Sequence, residues 1–264
     1  MTMTVLDFHK RKAAGIPISM VTCYDYWTAA IANGSDVDCL LVGDSLAMVV
    51  YGHETTLPAD MDTMAAHTAA VRRGAPGKFL IGDMPFLSYR RSLESAVDNA
   101  GKLMRAGAQA IKLEGAEGNT DLVRHLVESG VPVMGHLGLT PQSVHRLGGF
   151  KVQARDETAA ERLVEHAREL EEAGCFALVL EAVPASVAAA ITQALEIPTI
   201  GIGAGSKVDG QVLVLQDLLG VNTAFRPKFV RTWLDGSTLI RDALQNYHKD
   251  VVERTFPNGE ESYS

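Results

Sequence analysis

The chain has 264 residues, of which 47% are hydrophobic and 21% are charged, and its formal net charge is −8. This length suits one compact α/β domain, and the apolar content excludes a disordered chain. The acidic balance argues against a general nucleic-acid binder, because contacts to phosphates need clustered Lys and Arg.

Targeting and redox signals favour a cytoplasmic protein. The N-terminal stretch lacks the pattern of a signal peptide, and no apolar run approaches the roughly 18 residues of a membrane span. The cysteines Cys23, Cys39 and Cys175 are odd in number, show no CxxC spacing and lie in or beside apolar runs. This pattern is typical of reduced, buried thiols, so we expect a cytoplasmic protein with no membrane partner.

Short apolar runs alternate with helical patterns along the chain. A helix is predicted at about Val5 to Ala14, and the runs that follow are ISMVTCYD, CLLVGDS, KFLIGDMP, AIKLEG, VPVMGHLG, FALVLEAV, IPTIGIGAG and QVLVLQD. Runs so short and so rich in Val, Ile and Leu are typical of strands buried on both faces of a parallel sheet. The eight repeats predict a (β/α)₈ barrel that forms one domain over residues 1–264, and a doubly wound open sheet is the alternative.

Capping residues mark the helices between these strands. Helix starts are predicted at Asp60, Ser92, Asn119 or Thr120, Asp156 and Pro184. Helix ends are predicted at Gly107, Gly130 and Gly174. After Trp233 a C-terminal helix and a polar tail are predicted.

Five of the apolar runs end in a residue that can do chemistry. These residues are Asp44, Asp83, Glu114, His136 and Glu181. In a barrel the carboxyl ends of all strands open on one face, where such enzymes place their active sites. The pattern therefore predicts an enzyme with a divalent metal and a catalytic base.

Oxygen ligands favour magnesium over zinc, since the chain lacks paired His or Cys spacing. Asp44 and Asp83 suit the role of metal ligands, and Glu114 is expected either to bind the ion directly or to hold one of its waters. The alternative is that the two aspartates cap the following helices. That interpretation fits less well, because better caps, Asp60 and Ser92, follow downstream.

The remaining candidates divide into substrate contacts and a base. Lys112 and Glu114 are two residues apart on one strand, so both should point into the barrel. Lys112 either pairs with Glu114 alone or contacts a substrate oxyanion. His136 is either a core histidine or a substrate contact. Glu181 follows the apolar ALVL, a setting that favours proton transfer near neutrality, and is the candidate base.

Ten segments match, in order, the motifs of one known family: TCYDY, LLVGDSLAMVVYGHETTLP, HTAAVRRGAP, IKLEG, PVMGHLGLTPQSV, KVQAR, LVLEAVP, IPTIGIGAG, DGQVLVLQD and PKF. They span nearly the whole chain. On these segments the sequence resembles the ketopantoate hydroxymethyltransferases. Phe150 and Ala154 depart from the pattern, since relatives often have Tyr and Gly there, which affects a loop rather than the chemistry.

The resemblance implies a magnesium-dependent barrel enzyme of pantothenate biosynthesis. Its members transfer a one-carbon unit from 5,10-methylenetetrahydrofolate, as co-substrate, to 3-methyl-2-oxobutanoate, giving 2-dehydropantoate. The roles that the family implies fall on the metal ligands Asp44 and Asp83, which also face the substrate, on Glu114 near the ion, on Ser45 and Lys112 at the substrate, and on Glu181 as proton acceptor. Family members typically form homo-oligomers, often decamers of two pentamers.

Two other functions are compatible with such a barrel. One is another magnesium-dependent 2-oxo-acid enzyme, such as a carbon–carbon lyase or a phosphonate mutase. Lyases of the isocitrate type carry a catalytic cysteine in a KKCGH-like loop, which this sequence lacks. The other is a ligand-binding or scaffold protein without catalysis, which would show no metal-dependent proton exchange.

Overall fold

Eight parallel strands in the described part of the chain pair in sequence order, and the eighth pairs with the first to close a barrel. The computed structural model describes residues 3–223 and 227–263. The strands are β1 (Ile18–Thr22), β2 (Cys39–Val42), β3 (Phe79–Asp83), β4 (Ala110–Glu114), β5 (Val133–Gly138), β6 (Ala177–Glu181), β7 (Thr199–Ile202) and β8 (Gly210–Leu213). The predicted (β/α)₈ barrel is confirmed, and the open-sheet alternative is wrong.

The helices follow the predicted boundaries closely. They are α1 (Val5–Ala14), α2 (Tyr26–Asn33), α3 (Leu46–Val49), α4 (Met61–Gly74), α5 (Leu93–Arg105), α6 (Thr120–Glu128), α7 (Val144–Leu147), α8 (Glu157–Glu172), α9 (Ala185–Ala194), α10 (Leu215–Leu218) and α11 (Gly236–Val252). The side chains of Asp60, Ser92 and Asp156 each accept a hydrogen bond from a backbone N–H in the first turn of α4, α5 and α8. These three predicted helix starts are therefore confirmed.

The chain divides into two compact units, Met1–Val214 and Leu215–Ser264. The first unit holds the barrel and α1 to α9, and the second holds α10 and α11. The prediction of one domain over residues 1–264 stays a prediction. Among the residues that the structure describes, no helix combines the length and the apolar character needed to cross a membrane.

Alternate residues of the strands fill the inside of the barrel. The apolar cluster there includes Met20, Leu41, Ile81, Met134, Val179, Ile200 and Val212. Side chains alternate between the two faces of a strand, so the next inward position after Ile81 is Asp83, and the next after Met134 is His136. The strand period thus carries polar side chains into the barrel at its carboxyl end.

Helix α1 covers the amino end of the barrel with one aromatic side chain. Phe8 is fully buried, and its ring packs edge-on against Phe79 at 5.3 Å and Phe176 at 5.1 Å between centroids. Phe79 begins β3, and Phe176 directly precedes β6. The three rings therefore close the end opposite to the predicted site, which is where such barrels concentrate stability.

The GIGAG run has a packing role at Gly205. A Cβ on this residue would lie 2.5 Å from the Cβ of Ala185, the first residue of α9, and its φ of +81° favours glycine. The bare backbone therefore lets the loop after β7 approach α9 closely.

Candidate active site

Five of the predicted residues lie together at the carboxyl end of the barrel. Asp44, Asp83, Lys112, Glu114 and His136 each expose 4% of their surface or less. The strand register pairs Asp83 with Lys112 and Glu114 with His136. Parallel pairing therefore brings residues that are far apart in sequence into one buried cluster.

Neither predicted metal-binding aspartate caps a helix. Ser45 holds the cap position of α3, and Asp60 and Ser92 hold those of α4 and α5. The backbone N–H of Asp44 donates to Asp83 Oδ2 at 3.2 Å, and the charge of Asp83 lies close enough to raise the pKa of Asp44. Both remain available to a ligand at this end of the barrel.

Lys112 is paired with Asp83 rather than with Glu114 alone. Its Nζ lies 2.8 Å from Asp83 Oδ1 and 3.3 Å from His136 Nδ1. Burial lowers the pKa of Lys112, but the nearby carboxylates, above all Asp83, outweigh burial and raise it. The ammonium group is therefore charged at neutral pH and points at the space between the carboxylates.

His136 connects the carboxylate cluster to Glu181. Its Nδ1 lies 3.4 Å from Glu114 Oε1, and its Nε2 lies 3.2 Å from Glu181 Oε2. Burial and Lys112 oppose protonation, but the contacts with Glu114 and Glu181 outweigh them and raise the pKa of His136 to about 9. The imidazolium therefore holds both carboxylates in place.

The backbone around Glu181 is unusual. Its side chain is 20% exposed, against 3% for His136, so it is reachable from the face where a substrate would enter. A Cβ on Gly138 would lie 2.2 Å from the Glu181 carbonyl oxygen, and Ala182 adopts a φ of +47°. Such costly backbone conformations concentrate at functional sites.

The cluster holds more negative charge than it can balance. Four carboxylates, Asp44, Asp83, Glu114 and the partly exposed Glu181, face two cations, the ammonium of Lys112 and the imidazolium of His136, which leaves two negative charges. Burial, followed by repulsion from Asp83 and Glu114, raises the pKa of Asp44 well above its usual value. Burial also raises the pKa of Asp83, although Lys112 opposes that effect. A divalent cation would neutralise the surplus.

The donor atoms fit magnesium. In the described ranges, Glu114 Oε1 and His136 Nε2 are buried without a hydrogen-bond partner, although charged neighbours lie at ion-pair distances, and Asp83 Oδ1 faces the Lys112 ammonium. Residues 3–223 and 227–263 contain no preformed set of three or more His, Cys, Asp or Glu metal ligands. Magnesium needs no such set, since it binds through one or two carboxylates and keeps several waters.

Gln142 and Tyr89 were not predicted from the sequence. The Gln142 amide donates to Asp44 Oδ2 and to the Met84 carbonyl, both at 2.9 Å, and its backbone N–H donates to Glu114 Oε2 at 3.0 Å. The Tyr89 hydroxyl donates to Gln142 Oε1 at 2.7 Å. One neutral residue therefore contacts two carboxylates, Asp44 through its side chain and Glu114 through its backbone N–H. The sequence offered one signal for Gln142, its position in GHLGLTPQS just after the strand that carries His136.

Ser45 directly follows Asp44 and is half-buried. Its hydroxyl shares a hydrogen bond of 2.8 Å with the hydroxyl of the buried Tyr24. This contact holds the Ser45 side chain beside the cluster, where its role as a substrate contact stays a prediction.

A cavity of about 780 Å³ adjoins the cluster. Glu114, Thr140 and Gln142 line its inner end, and Arg146 and Arg162 line its more exposed side. Its volume lies within the range of small-molecule sites, roughly 300 to 1,000 Å³. The cluster therefore has room beside it for a second ligand.

Comparison with known proteins gives one consistent result. The family model described as "Ketopantoate hydroxymethyltransferase" matches residues 2–259. A 3-methyl-2-oxobutanoate hydroxymethyltransferase of Bdellovibrio bacteriovorus is 61% identical over 261 residues, 99% of each chain, and one of Coxiella burnetii is 56% identical over 257 residues, 97% of each. A solved phosphonopyruvate hydrolase, in complex with oxalate and Mg²⁺, superposes with a TM-score of 0.66 over 98% of this chain and 93% of its own. At 13% identity that likeness shows the fold alone.

Proposed function

The chain belongs to the ketopantoate hydroxymethyltransferase family, and from this membership we propose the reaction in full. The enzyme transfers a hydroxymethyl group from 5,10-methylenetetrahydrofolate to 3-methyl-2-oxobutanoate, giving 2-dehydropantoate in pantothenate biosynthesis. The observation that carries the proposal is the contact of His136 with both Glu114 and Glu181, because it joins a carboxylate cluster to a candidate base.

Asp44 and Asp83 are the residues that would hold magnesium, with Glu114 beside them. When bound, the ion supplies Lewis-acid polarisation of a 2-oxo acid. The carboxylates supply the charge that retains it, and Gln142 keeps Asp44 and Glu114 in orientation.

Glu181 accepts the proton from C3 of 3-methyl-2-oxobutanoate. A carboxylate in that role needs a fixed position and access to the substrate, and Glu181 has both, through His136 at 3.2 Å and its partly exposed side chain. Negative charge then develops on the ketone oxygen, where the buried ammonium of Lys112 stabilises it. The deprotonated carbon forms a bond to the methylene carbon of the donor. Both C–N bonds of that carbon break and water supplies its hydroxyl group, so that 2-dehydropantoate and tetrahydrofolate are the products.

The proposal is tested by following the C3 proton of 3-methyl-2-oxobutanoate by NMR in deuterated buffer. We expect exchange that depends on Mg²⁺, and formation of 2-dehydropantoate once 5,10-methylenetetrahydrofolate is added. Absence of both from folded, metal-loaded enzyme would refute the proposal and favour a lyase or a mutase.

A homo-oligomer, a decamer of two pentamers, is part of the proposal. Helix α11 supports it, because its large apolar side chains Leu239, Ile240, Leu244, Tyr247, Val251 and Val252 are all exposed. Such surface usually marks an interaction site. Sedimentation velocity of the wild type and of Leu244→Glu measures the state directly, and a monomeric wild type would contradict it.

We also propose a cytoplasmic location. All three cysteines are free and buried, as predicted from the sequence, which fits a reducing compartment.

A further inference from the structure

Three arginines and one glutamate surround the outer part of the 780 Å³ cavity. We call Arg90, Arg146, Arg162 and Glu117 the arginine group. Arg146 Nη1 lies 3.6 Å from Glu117 Oε2, Arg162 forms an ion pair with Glu117 Oε1, and Arg90 Nη1 donates to the Glu117 carbonyl at 2.7 Å. Two guanidinium groups thus share one carboxylate and a third binds the backbone of the same residue, a surplus of two positive charges on a chain whose net charge is −8.

The arginine side chains are available to a ligand. Arg146 is 71% exposed and Arg162 is 64% exposed, although both line the cavity. Guanidinium groups bind carboxylates through two parallel hydrogen bonds, and Glu117 occupies only part of this capacity. The outer part of the cavity is therefore suited to a ligand that ends in carboxylates.

The inner end of the cavity has different chemistry. Glu114 and Gln142 line it, and both belong to the candidate active site. The cavity is also lined by the apolar side chains of Phe86, Leu137 and Leu163. A ligand that fills the cavity would thus place a hydrogen-bonding end at the reaction site, an apolar middle along the wall and an anionic end at the arginine group.

Two residues of the cavity wall adopt strained backbone conformations. Leu87 has a φ of +60° and Ala154 a φ of +53°, a region that favours glycine. Such strain persists where the surrounding structure imposes it, and it concentrates at ligand-binding sites.

We propose that this cavity is the binding site of the one-carbon donor, with the pterin of 5,10-methylenetetrahydrofolate toward Glu114 and Gln142 and the glutamate carboxylates at Arg146 and Arg162. The inference rests on the proposed function. It follows that the enzyme prefers donors with several glutamate residues, because each added residue brings another carboxylate to the arginine group.

The test uses the full-length double variant Arg146→Gln/Arg162→Gln and donors with one or five glutamates. We expect the KM for the pentaglutamate to rise about tenfold and that for the monoglutamate a few-fold, because each exposed charge contact contributes a few-fold in affinity. We expect kcat to change less than about twofold, since the ion pairs of Arg146 and Arg162 are with Glu117 rather than with the buried carboxylate cluster. The double variant Arg105→Gln/Arg124→Gln is the matched control, because both arginines are exposed and lie outside the cavity lining.

Glu117→Gln gives a result of opposite sign. Removal of the shared carboxylate frees Arg146 and Arg162, so the KM for the pentaglutamate should fall. If these residues had only a structural role, both Glu117→Gln and the arginine double variant would raise the KM for the pentaglutamate. Inorganic phosphate is compared with glutarate as a competitor at constant ionic strength, and stronger competition by phosphate would assign the arginines to a phosphate ligand and overturn the proposal.

Deuterium exchange at C3 separates this inference from the proposed function, because exchange needs no folate. If wild-type enzyme exchanges C3 and forms product while the arginine variant keeps the wild-type KM for both donors, the cavity assignment is wrong and the reaction stands. If wild-type enzyme does neither, the reaction itself is wrong.

Discussion

The two ends of the barrel both carry charged side chains, partly buried at the amino end and fully buried at the carboxyl end, and they satisfy them differently. At the amino end, Asp38 accepts hydrogen bonds from the backbone N–H and the hydroxyl of Ser19, each at 2.8 Å, and pairs with Arg11 at 2.6 Å. At the carboxyl end, Asp83 Oδ1 faces the Lys112 ammonium at 2.8 Å, whereas Glu114 Oε1 and His136 Nε2 are buried without a hydrogen-bond partner in the described ranges. Buried polar atoms are usually satisfied, so the exceptions mark the end that is built for a ligand.

The contrast separates stability from function within one barrel. Phe8 and the ion pairs at the amino end stabilise the fold, whereas the crowded carboxylates at the carboxyl end cost stability and gain reactivity. Substitutions at the carboxyl end should therefore change mainly the activity, and substitutions at the amino end mainly the free energy of unfolding. An Asp→Asn change should alter the free energy of unfolding in opposite directions at the two ends.

The largest expected effect is that of Glu181→Gln at the carboxyl end. Loss of the base should slow C3 exchange about a thousandfold, a typical contribution of general-base catalysis, while binding of 3-methyl-2-oxobutanoate is retained. NMR exchange rates and calorimetric titration measure the two effects. Glu172→Gln, an exposed carboxylate at the end of α8, is the matched control. Exchange at the wild-type rate in Glu181→Gln would refute the base assignment.

Phe8→Ala at the amino end should lower the stability of the fold and leave the activity intact. It leaves a cavity between Phe79 and Phe176 and should lower the free energy of unfolding by about 3 to 4 kcal/mol. The folded variant should keep its kcat. Denaturant unfolding at fixed protein concentration measures the loss, and Leu6→Ala, which is 68% exposed on the same helix, should change little. Equal losses in the two variants would contradict the role given to Phe8.

The sequence was informative where structure depends on local pattern. Asp60 and Ser92 could be recognised as caps because their effect needs only the next three residues. The inward direction of Lys112 and Glu114 followed from the two-residue period of a strand. The partner of Lys112 could not be predicted from this period, because its pairing with Asp83 depends on the register between β3 and β4.

Neutral residues and dispersed charges were the parts that could not be predicted. Gln142 carries no charge, and its four hydrogen bonds join residues from separate strand ends and loops. Arg90, Arg146 and Arg162 come from three segments, and only the closed barrel brings them to one cavity. Both features depend on long-range geometry that has no signature in a single sequence.

Gln142→Met tests whether a neutral residue sets the orientation of the carboxylates. The change keeps the side-chain volume but removes the amide contacts to Asp44 and to Tyr89. The affinity for Mg²⁺ should fall about 10- to 100-fold, as for other residues that orient metal ligands. The Mg²⁺ dependence of C3 exchange measures it. Tyr89→Phe removes one hydroxyl contact and should have a smaller effect, and unchanged Mg²⁺ affinity in Gln142→Met would exclude the orienting role.

Asp44→Asn should abolish exchange and yet stabilise the metal-free protein. Burial and repulsion from Asp83 and Glu114 raise the pKa of Asp44, so its charge is costly without a cation. Asparagine can still accept the hydrogen bond from Gln142, and the free energy of unfolding should rise by about 1 to 2 kcal/mol. Unfolding in EDTA measures the change. A destabilised variant would show that the carboxylates are balanced without metal, which would remove the contrast between the two ends.

The same chemical change at the amino end, Asp38→Asn, should have the opposite sign. Burial opposes ionisation of Asp38, but the hydrogen bonds from Ser19 and Arg11 outweigh it and lower the pKa. The stabilisation is therefore fully present above the unfolded-state pKa of about 3.9, and it is lost as the pH falls through the lower folded-state pKa. At pH 7 the variant should be less stable by about 1 kcal/mol.

Unfolding of wild type and Asp38→Asn at pH 7 and near pH 3 separates charge from packing. The difference between them should shrink at the lower pH, because the wild-type carboxyl becomes protonated and resembles the neutral amide. Asp62→Asn, whose carboxylate is 87% exposed beside Lys102, should change nothing measurable at either pH. A difference that stays constant with pH would mean that Asp38 acts through its shape, and the amino end would then owe its stability to packing rather than to satisfied charge.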